Sequence, residues 1–385
     1  MTSKGLHILV TGGAGFIGSH IVEYHLNRGD KVHAVDDLST GSTSNVELFL
    51  DNPNFRFTKA DIVIWDDLYK AVSWADRIYH MAAVVGVHKV LDEPIKCLAT
   101  NIAGCERVLR AASAGGWKPQ IILASTAEVY GQAALGVVTE NGEKETSLAN
   151  APRTAPGHLI PFSGFREDAE LAVGSTTLKR WNYSVSKIVN ETLGQNYGRS
   201  FGMEVMVCRF FNAAGPRQTG RYGMVVPRFV ERAVTGKPIR VHGDGSQTRC
   251  FCDVRDTIAL VDSLADNPAS FGQIINVGNN REISILELAK LVRERAGSSS
   301  PIEFVSYREA YGDGNVETYR RKPDLSKLFE LTAYRHKWRL EDTVDDLIRR
   351  LRSATPDAIS PVDNGSLPVK NIRERKELCN EPTGQ

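Results

Sequence analysis

The chain has 385 residues, of which 42% are hydrophobic and 24% charged, with a formal net charge of +1. That balance is ordinary for a soluble globular protein with a sizeable core, and it excludes the strong field that would recruit nucleic acid or an anionic membrane. No apolar run approaches the roughly 18 residues of a membrane span, and six cysteines in so long a chain, none in a CxxC pair, exclude a disulfide-dependent scaffold.

The opening MTSKGLHILVTGG lacks the long apolar segment of a signal peptide, so the expectation is a cytoplasmic protein with buried, reduced thiols. LHILVTGG reads as a buried strand running into a glycine turn. FIGSHIVEYHLNRG reads as a helix closed by Gly29. KVHAVDDL is a second strand ending in acids. FRFTKADI and RIYHMAAV are further strands, separated by the helical DDLYKAVSWA. NIAGCERVLRAASAGG is a helix, and PQIILAST is another buried strand. Strands alternating with helices predict an α/β fold whose parallel sheet is covered on both faces.

After Tyr130 the pattern lapses. Residues 132–165 are rich in Gly, Ala, Pro, Thr and Asn and predict a long loop rather than a core element. NYSVSKIVNETLGQNYGRSFG resumes as a helix, and MEVMVCRFFNAAGP is a strand with a turn. From about Gly220 the elements shorten, which suits a smaller second lobe. Cys250 and Cys252 would share one face of a strand. A metal site there lacks histidines at ligand spacing, so no metal is expected. Residues after Ala354 lack periodicity and predict a mobile tail.

Gly12, Gly15 and Gly18 lie between the first strand and the first helix. That spacing lets the backbone approach a pyrophosphate seated on the helix N-terminus, with Phe16 and Ile17 inside the turn. Asp36 ends the second strand, 18 residues beyond Gly18. A carboxylate there accepts hydrogen bonds from a ribose diol and repels a 2′-phosphate, which favours NAD over NADP. Asp61 is either near the adenine or a plain surface acid. Tyr183 and Lys187, four apart in YSVSK, share one helix face. An ammonium beside a phenol is expected to lower its pKa and make it a base for an alcohol proton.

TGGAGFIGSH, Asp36, HMAA with Ala82, STAEVYG, YSVSK, RFFNAAGPR, GDGSQTRCFCDVRD and RRKPDLSK together resemble the extended short-chain dehydrogenase/reductases of the NAD-dependent nucleotide-sugar epimerase/dehydratase group. The resemblance spans about residues 5–350. It implies a Rossmann-type doubly wound parallel sheet holding NAD, with a smaller mixed α/β C-terminal lobe for a nucleotide sugar, usually UDP- or dTDP-linked. The expected division is 1–215 for the NAD domain, with an insertion at 132–179 that is either a lid or a passive surface loop. Residues 216–354 form the substrate lobe, with the chain free to cross back between lobes, and 355–385 the tail. Thr126, Tyr183 and Lys187 match the family's catalytic residues. Asn212 and Arg249 match residues that contact the substrate diphosphate, and Arg217, which ends the motif that holds Asn212, is expected to bind substrate as well. Family members are commonly homodimers.

The resemblance also implies a shared first step, oxidation of the sugar at C4. The 4-ketone then allows 4-epimerisation, 4,6-dehydration or, from a 6-carboxylate, loss of CO2. Dehydratases of the family usually have Asp-Glu after the Ser/Thr, whereas Ala127 has no proton to give. UDP-glucuronate decarboxylases usually have Thr-Ser-Glu, so Thr126 and Glu128 fit and Ala127 departs. KRWNYSVSK resembles the RWxYxxxK stretch of bacterial UDP-glucuronate decarboxylases and UDP-apiose/xylose synthases. Arg321 matches an arginine those decarboxylases place by the sugar, and Arg180 is a second candidate. The expected activity is decarboxylation of a UDP-hexuronate, UDP-glucuronate first. The alternatives are a UDP-sugar 4-epimerase, then a 4,6-dehydratase, and remotely a non-catalytic NAD-binding sensor. Such sensors typically lack the Tyr or Lys that this chain retains.

Overall fold

The computed structural model describes residues 5–131, 136–138, 144–146, 164–221, 223–311 and 318–353. Its first half alternates strand and helix: β1 (His7–Thr11), α1 (Phe16–Asn27), β2 (Lys31–Asp36), β3 (Phe55–Lys59), α2 (Leu68–Trp74), β4 (Arg77–His80), α3 (Val87–Asp92), α4 (Pro94–Ala114) and β5 (Gln120–Thr126). A short antiparallel hairpin follows, β6 (Gly136–Val138) with β7 (Lys144–Thr146). Then come α5 (Asn182–Phe201), β8 (Val205–Phe210), β9 (Ala213–Ala214), α6 (Val225–Val234), β10 (Ile239–His242), β11 (Thr248–Cys250), β12 (Cys252–Asp253), α7 (Val254–Ala265) and β13 (Ile274–Val277). The chain closes with β14 (Glu282–Ser284), α8 (Ile285–Arg295), β15 (Ile302–Val305), α9 (Tyr307–Tyr311), β16 (Arg320–Arg321), α10 (Ser326–Leu331) and α11 (Leu340–Ser353).

Seven strands form one parallel sheet in the order β13-β8-β5-β4-β1-β2-β3. Alternate residues of β1 explain why both faces are covered. Ile8 and Val10 pack with Ile21 and Val22 of α1, Ile258 and Val261 of α7 and Leu328 of α10. Leu9, on the opposite face, packs with Leu68 of α2, Val108 and Leu109 of α4, and Leu123. A strand buried on both sides reads as a continuous apolar run, and HILVT is one. The strand order reverses at β1, whose neighbours are β2 and β4. In such sheets ligands bind beyond the carboxyl ends of the strands at that switch point.

Although α7 and β13 follow α6 in sequence, they belong to the sheet layer. Arg77 of β4, nearly fully buried, anchors α7 through Asp262 at 3.1 Å and the Ala265 carbonyl at 3.0 Å. The second lobe has its own core, in which Val226, Phe229 and Val230 of α6 meet Leu288 and Val292 of α8 and Val344 and Ile348 of α11.

Two sequence expectations need correction. Cys250 and Cys252 do not share a strand: β11 pairs with β14 and β16, whereas β12 pairs with β9, so the ladder changes partner at Phe251. Phe165, placed in the loop, is a core residue. It is 1% exposed and stacks on Tyr130 with ring centroids 4.6 Å apart. Cys97, Cys105, Cys208, Cys250 and Cys252 are buried and unpaired, while Cys379 and the tail lie outside the described residues. Most of 132–163 is likewise outside them, and with it most of the 132–179 insertion expected to be either a lid or a passive loop. Among the described residues, no helix is long and apolar enough to cross a membrane.

Candidate active site

A cleft of about 1270 Å3 runs from the loop after β2, across the glycine turn and the ends of β4 and β5, into the second lobe. Sites for one drug-sized ligand span roughly 300–1,000 Å3, so this cleft has room for two ligands end to end.

The first end fits a dinucleotide. Gly12 has φ +72°, and a Cβ there would lie 2.7 Å from the Ala82 nitrogen. A Cβ on Gly18 would lie 2.0 Å from the Gly12 carbonyl oxygen. Gly15 caps α1 and donates to the same oxygen at 3.1 Å. The turn is therefore pressed against α1 with no side chain in between, so a pyrophosphate can approach the N-terminal end of that helix. Phe16, Ile17 and Ala82 line the cleft beside it. The Asp36 carboxylate accepts from the Ala14 nitrogen at 3.0 Å and the Leu38 nitrogen at 2.8 Å. Burial raises its pKa, partly offset by those bonds. Asp61 lines the far end and accepts from the Val63 nitrogen at 2.8 Å.

The loop LSTGSTSN adds contacts that sequence reasoning passed over. The Ala14 carbonyl accepts from the Ser42 nitrogen at 3.0 Å and from Asn45 Nδ2 at 2.9 Å. Lys89 of α3 donates to the Ser39 carbonyl at 2.9 Å. The small polar residues after Asp36 were the available signal.

Gly18→Ala should damage this end most. Neither atom in the clash is a side chain that can swing away, so α1 must move off the turn. Overpacking of this kind costs typically 1–3 kcal/mol, and 1.4 kcal/mol is a factor of ten. NAD affinity by calorimetry should fall roughly tenfold or more, and an unchanged affinity would refute the cradle.

At the middle of the cleft, β5 ends in Thr126 and a 3-10 turn, Ala127–Tyr130, carries Glu128. Tyr183 and Lys187 stand one turn apart on α5, with Lys187 Nζ 5.8 Å from the tyrosine ring centroid. Lys187 donates to the Ala124 carbonyl at 2.8 Å. Burial brings its pKa down to about 8, against the opposing influence of Cys105, Cys97 and Glu191. Tyr183 corrects the sequence expectation, because its pKa lies above the ordinary value. Burial, then the Glu128 charge, then Cys97 disfavour the phenolate, and a hydrogen bond with Thr126 only partly offsets them.

Three guanidiniums surround Glu128. Arg321 of β16 is ion-paired with it and is 8% exposed. Arg180 Nη2 lies 3.8 Å from the other carboxylate oxygen. Arg249 neighbours Arg321 in the β11–β16 ladder. Burial alone would push the Glu128 pKa up, but Arg321, Arg180 and Arg249 outweigh it and hold the group below its usual range. Glu128 is therefore a carboxylate at neutral pH. Arg180 lies over the Trp181 ring, 5.1 Å from its centroid, and its buried Nε has no hydrogen-bond partner among the described residues.

Asn212 adopts φ +33° and ties the end of β8 to the Cys250 carbonyl at 3.0 Å. Arg217 is the outlier: it lines the cleft but reaches back to α1, pairing with Glu23 and approaching Ser19 Oγ at 3.3 Å. The structure thus gathers Thr126, Glu128, Tyr183, Lys187, Arg180, Arg249 and Arg321 at the middle of the cleft, with the dinucleotide cradle on one side. Among the described residues no group of three or more His, Cys, Asp or Glu could hold a metal ion.

Residues 8–278 match the model of the NAD dependent epimerase/dehydratase family. A UDP-N-acetyl-alpha-D-glucosaminuronate decarboxylase of Bacillus cytotoxicus is 33% identical over 91% of this chain and 98% of its own. The UDP-glucuronic acid decarboxylase 1 of Arabidopsis thaliana is 33% identical over 91% of this chain and 71% of its own. Among solved structures, UDP-glucuronic acid 4-epimerase from Bacillus cereus, in complex with UDP-glucuronic acid and NAD, is 27% identical with a TM-score of 0.73, covering 90% of this chain and 100% of that one.

Proposed function

The chain belongs to the NAD-dependent epimerase/dehydratase family, and from that premise we propose that it is an NAD-dependent decarboxylase of a UDP-hexuronate, UDP-glucuronate or its 2-acetamido counterpart. The carrying observation is the ring of Arg321, Arg180 and Arg249 around an ionised Glu128, beside Thr126 and Tyr183.

NAD held by the Gly12–Gly18 turn and Asp36 would supply, when bound, a reversible hydride acceptor for C4. Tyr183 takes the C4 hydroxyl proton, Thr126 shares that hydrogen bond, and Lys187 supplies the nearby charge. The ketone formed at C4 is β to the C6 carboxylate. The C5–C6 bond then breaks, CO2 leaves, and its electron pair passes into an enolate at C4. A proton adds at C5, and hydride and proton return to C4 and its oxygen. The net change is one proton taken up and one CO2 released.

Arg180, which lines the cleft and approaches Glu128 only at 3.8 Å, is the guanidinium left for the substrate carboxylate. Arg321 is engaged by Glu128. Because Glu128 is ionised, its resting form has no proton to give to C5, and its role is to hold the guanidiniums. Asn212 and Arg249 take the diphosphate side. The second reading is a UDP-glucuronate 4-epimerase. It is favoured by Ala127, which departs from the decarboxylase pattern and offers no hydroxyl, and by the Bacillus cereus epimerase's likeness. The proposal includes a cytoplasmic location, read from the N-terminal sequence and the cysteines, and a homodimer, carried over from the resemblance. Exposed Ile95 and Phe201 on the adjoining helices α4 and α5 are apolar surface that supports it.

The test is mass spectrometry and proton NMR of products from UDP-glucuronate and UDP-N-acetylglucosaminuronate, each incubated with the NAD-loaded protein. Loss of CO2 is expected from one of them. An isomer of unchanged mass from both would replace this reading with the epimerase.

A further inference from the structure

Glu128 and Arg321 come from segments 193 residues apart in sequence, and their alignment has to be enforced from behind the cleft. We propose that Asn276, a residue with no contact to the cleft, is the positioning residue that holds this ion pair in register. The inference rests on the decarboxylase reading.

Asn276 sits on β13 at the edge of the sheet and is 0% exposed. Its side chain accepts from the Tyr130 hydroxyl at 2.7 Å. It donates to the Phe165 carbonyl at 2.8 Å and to the Asp324 carbonyl at 3.2 Å. Its backbone nitrogen donates to Glu167 Oε1 at 2.8 Å. Tyr130 ends the 3-10 turn that carries Glu128, and Asp324 lies three residues beyond Arg321. One amide therefore grips both partner segments, with Phe165 between them.

Phe165 completes the clasp. Its nitrogen donates to the Lys322 carbonyl at 2.8 Å, and its carbonyl accepts from the Asp324 nitrogen at 2.9 Å. Its ring stacks on Tyr130. Beyond Tyr130 the support continues into Arg209, 4.8 Å from that ring and bidentate to Glu191 at 2.9 and 2.8 Å. An asparagine amide offers two donors and an acceptor at fixed angles, and here each has a partner on a different segment. No apolar residue of similar size can do this. Removing the amide takes this partner from the Tyr130 hydroxyl and the Asp324 carbonyl and leaves the Phe165 carbonyl with the Asp324 nitrogen alone, and the two segments lose their common reference.

The catalytic Tyr183 and Lys187 stand on α5, which the network reaches at Glu191 through Arg209 and not at either catalytic side chain. Loss of the clasp should therefore impair the step that uses Glu128 and Arg321 more than the step at C4. The experiment compares Asn276→Ala and the milder Tyr130→Phe with wild type, all loaded with NAD and shown by thermal shift to be folded. With UDP-glucuronate, or the 2-acetamido substrate if that is the one consumed, NADH absorbance reports C4 oxidation and trapped CO2 reports the later step. Displacement of catalytic groups by about 1 Å can cost 10²-fold, so CO2 release should fall roughly ten- to a hundredfold in Asn276→Ala. NADH formation should change by less than about threefold. Tyr130→Phe should move the same ratio in the same direction. In a Glu128→Gln background, Asn276→Ala should have little further effect on CO2 release, because residues acting through one pair are not additive.

Equal loss of both steps, or full additivity with Glu128→Gln, overturns the positioning role while leaving the decarboxylase reading intact. A wild type that forms NADH without releasing CO2 overturns both. If Asn276→Ala fails to fold, Tyr130→Phe alone decides: an unchanged ratio of the two steps overturns the proposal.

Discussion

Replacing Tyr183 with phenylalanine should lower turnover of the UDP-hexuronate by roughly a thousandfold, within the range that general acid–base groups contribute. Tyr183 lines the cleft with Thr126 at the end of β5, where the cofactor cradle meets the arginine ring. No other described side chain there combines a hydroxyl with a neighbouring ammonium. Lys187 cannot substitute for it, since its ammonium is directed to the Ala124 carbonyl. Phenylalanine keeps the ring and its packing, so NAD should still bind, measured by thermal shift. Retained turnover, within about tenfold of wild type, would remove Tyr183 from the chemistry. The raised pKa of the free site adds a second readout. Without ligands the phenol stays protonated through neutral pH, because burial and the Glu128 charge oppose ionisation. In a Glu128→Gln protein the Tyr183 titration, followed by ultraviolet difference absorbance against Tyr183→Phe, should move to lower pH.

That direction was hidden in the sequence. YSVSK displays the ammonium four residues from the phenol, but it shows neither the burial of both groups nor the carboxylate that the next strand end brings near. The sheet was legible because strands buried on both faces, such as HILVT and QIILAST, carry unbroken apolar centres, ILV and IILA. The glycine turn was legible because its spacing is a local requirement of backbone approach. What could not be read was pairing over long range. The meeting of Glu128 and Arg321 depends on β16 joining β11, two strands of two and three residues, too short to announce a register. Phe165 was lost for a similar reason. A single extended residue bridging Pro323 leaves no periodicity, so a core aromatic hid in a stretch that composition marks as loop. Alternation suggested one strand for Cys250 and Cys252, and only the change of ladder partner at Phe251 contradicts it.

The second large effect is loss of stability in mild acid. His80 is buried at the end of β4, with Nδ1 2.8 Å from Thr11 Oγ1 and Nε2 without a partner among the described residues. Burial, reinforced by Lys187, pushes its pKa down to about 3. His20 falls to about 4 through burial and Arg217, and His33, packed against Trp65 and Trp74, falls to about 4 through burial and Arg56. In the unfolded chain each returns to about 6.5. Between these values the unfolded state binds more protons than the folded one, so stability rises with pH and is lost as pH falls from about 6.5 towards 4. With three such groups the slope approaches about 4 kcal/mol per pH unit near pH 5. The cumulative loss there is on the order of 5 kcal/mol, comparable with the whole net stability of many domains. Asp36 works the other way, since its pKa is raised by burial and its protonation favours the folded state. Its effect lies upward from its ordinary value of 3.8, so it offsets part of the histidine loss at the acid end of that window. Glu128, held below its usual range, adds to the acid loss there. Urea unfolding followed from about pH 7.5 to 5 should show midpoints that fall steeply below 6.5, with two to three protons taken up per molecule on unfolding. A midpoint independent of pH across that window would mean that the three imidazoles are not held neutral by the fold. His33→Gln keeps a polar group facing Thr58 and should flatten the slope by about one third, tying the acid response to an identified ring rather than to general charge.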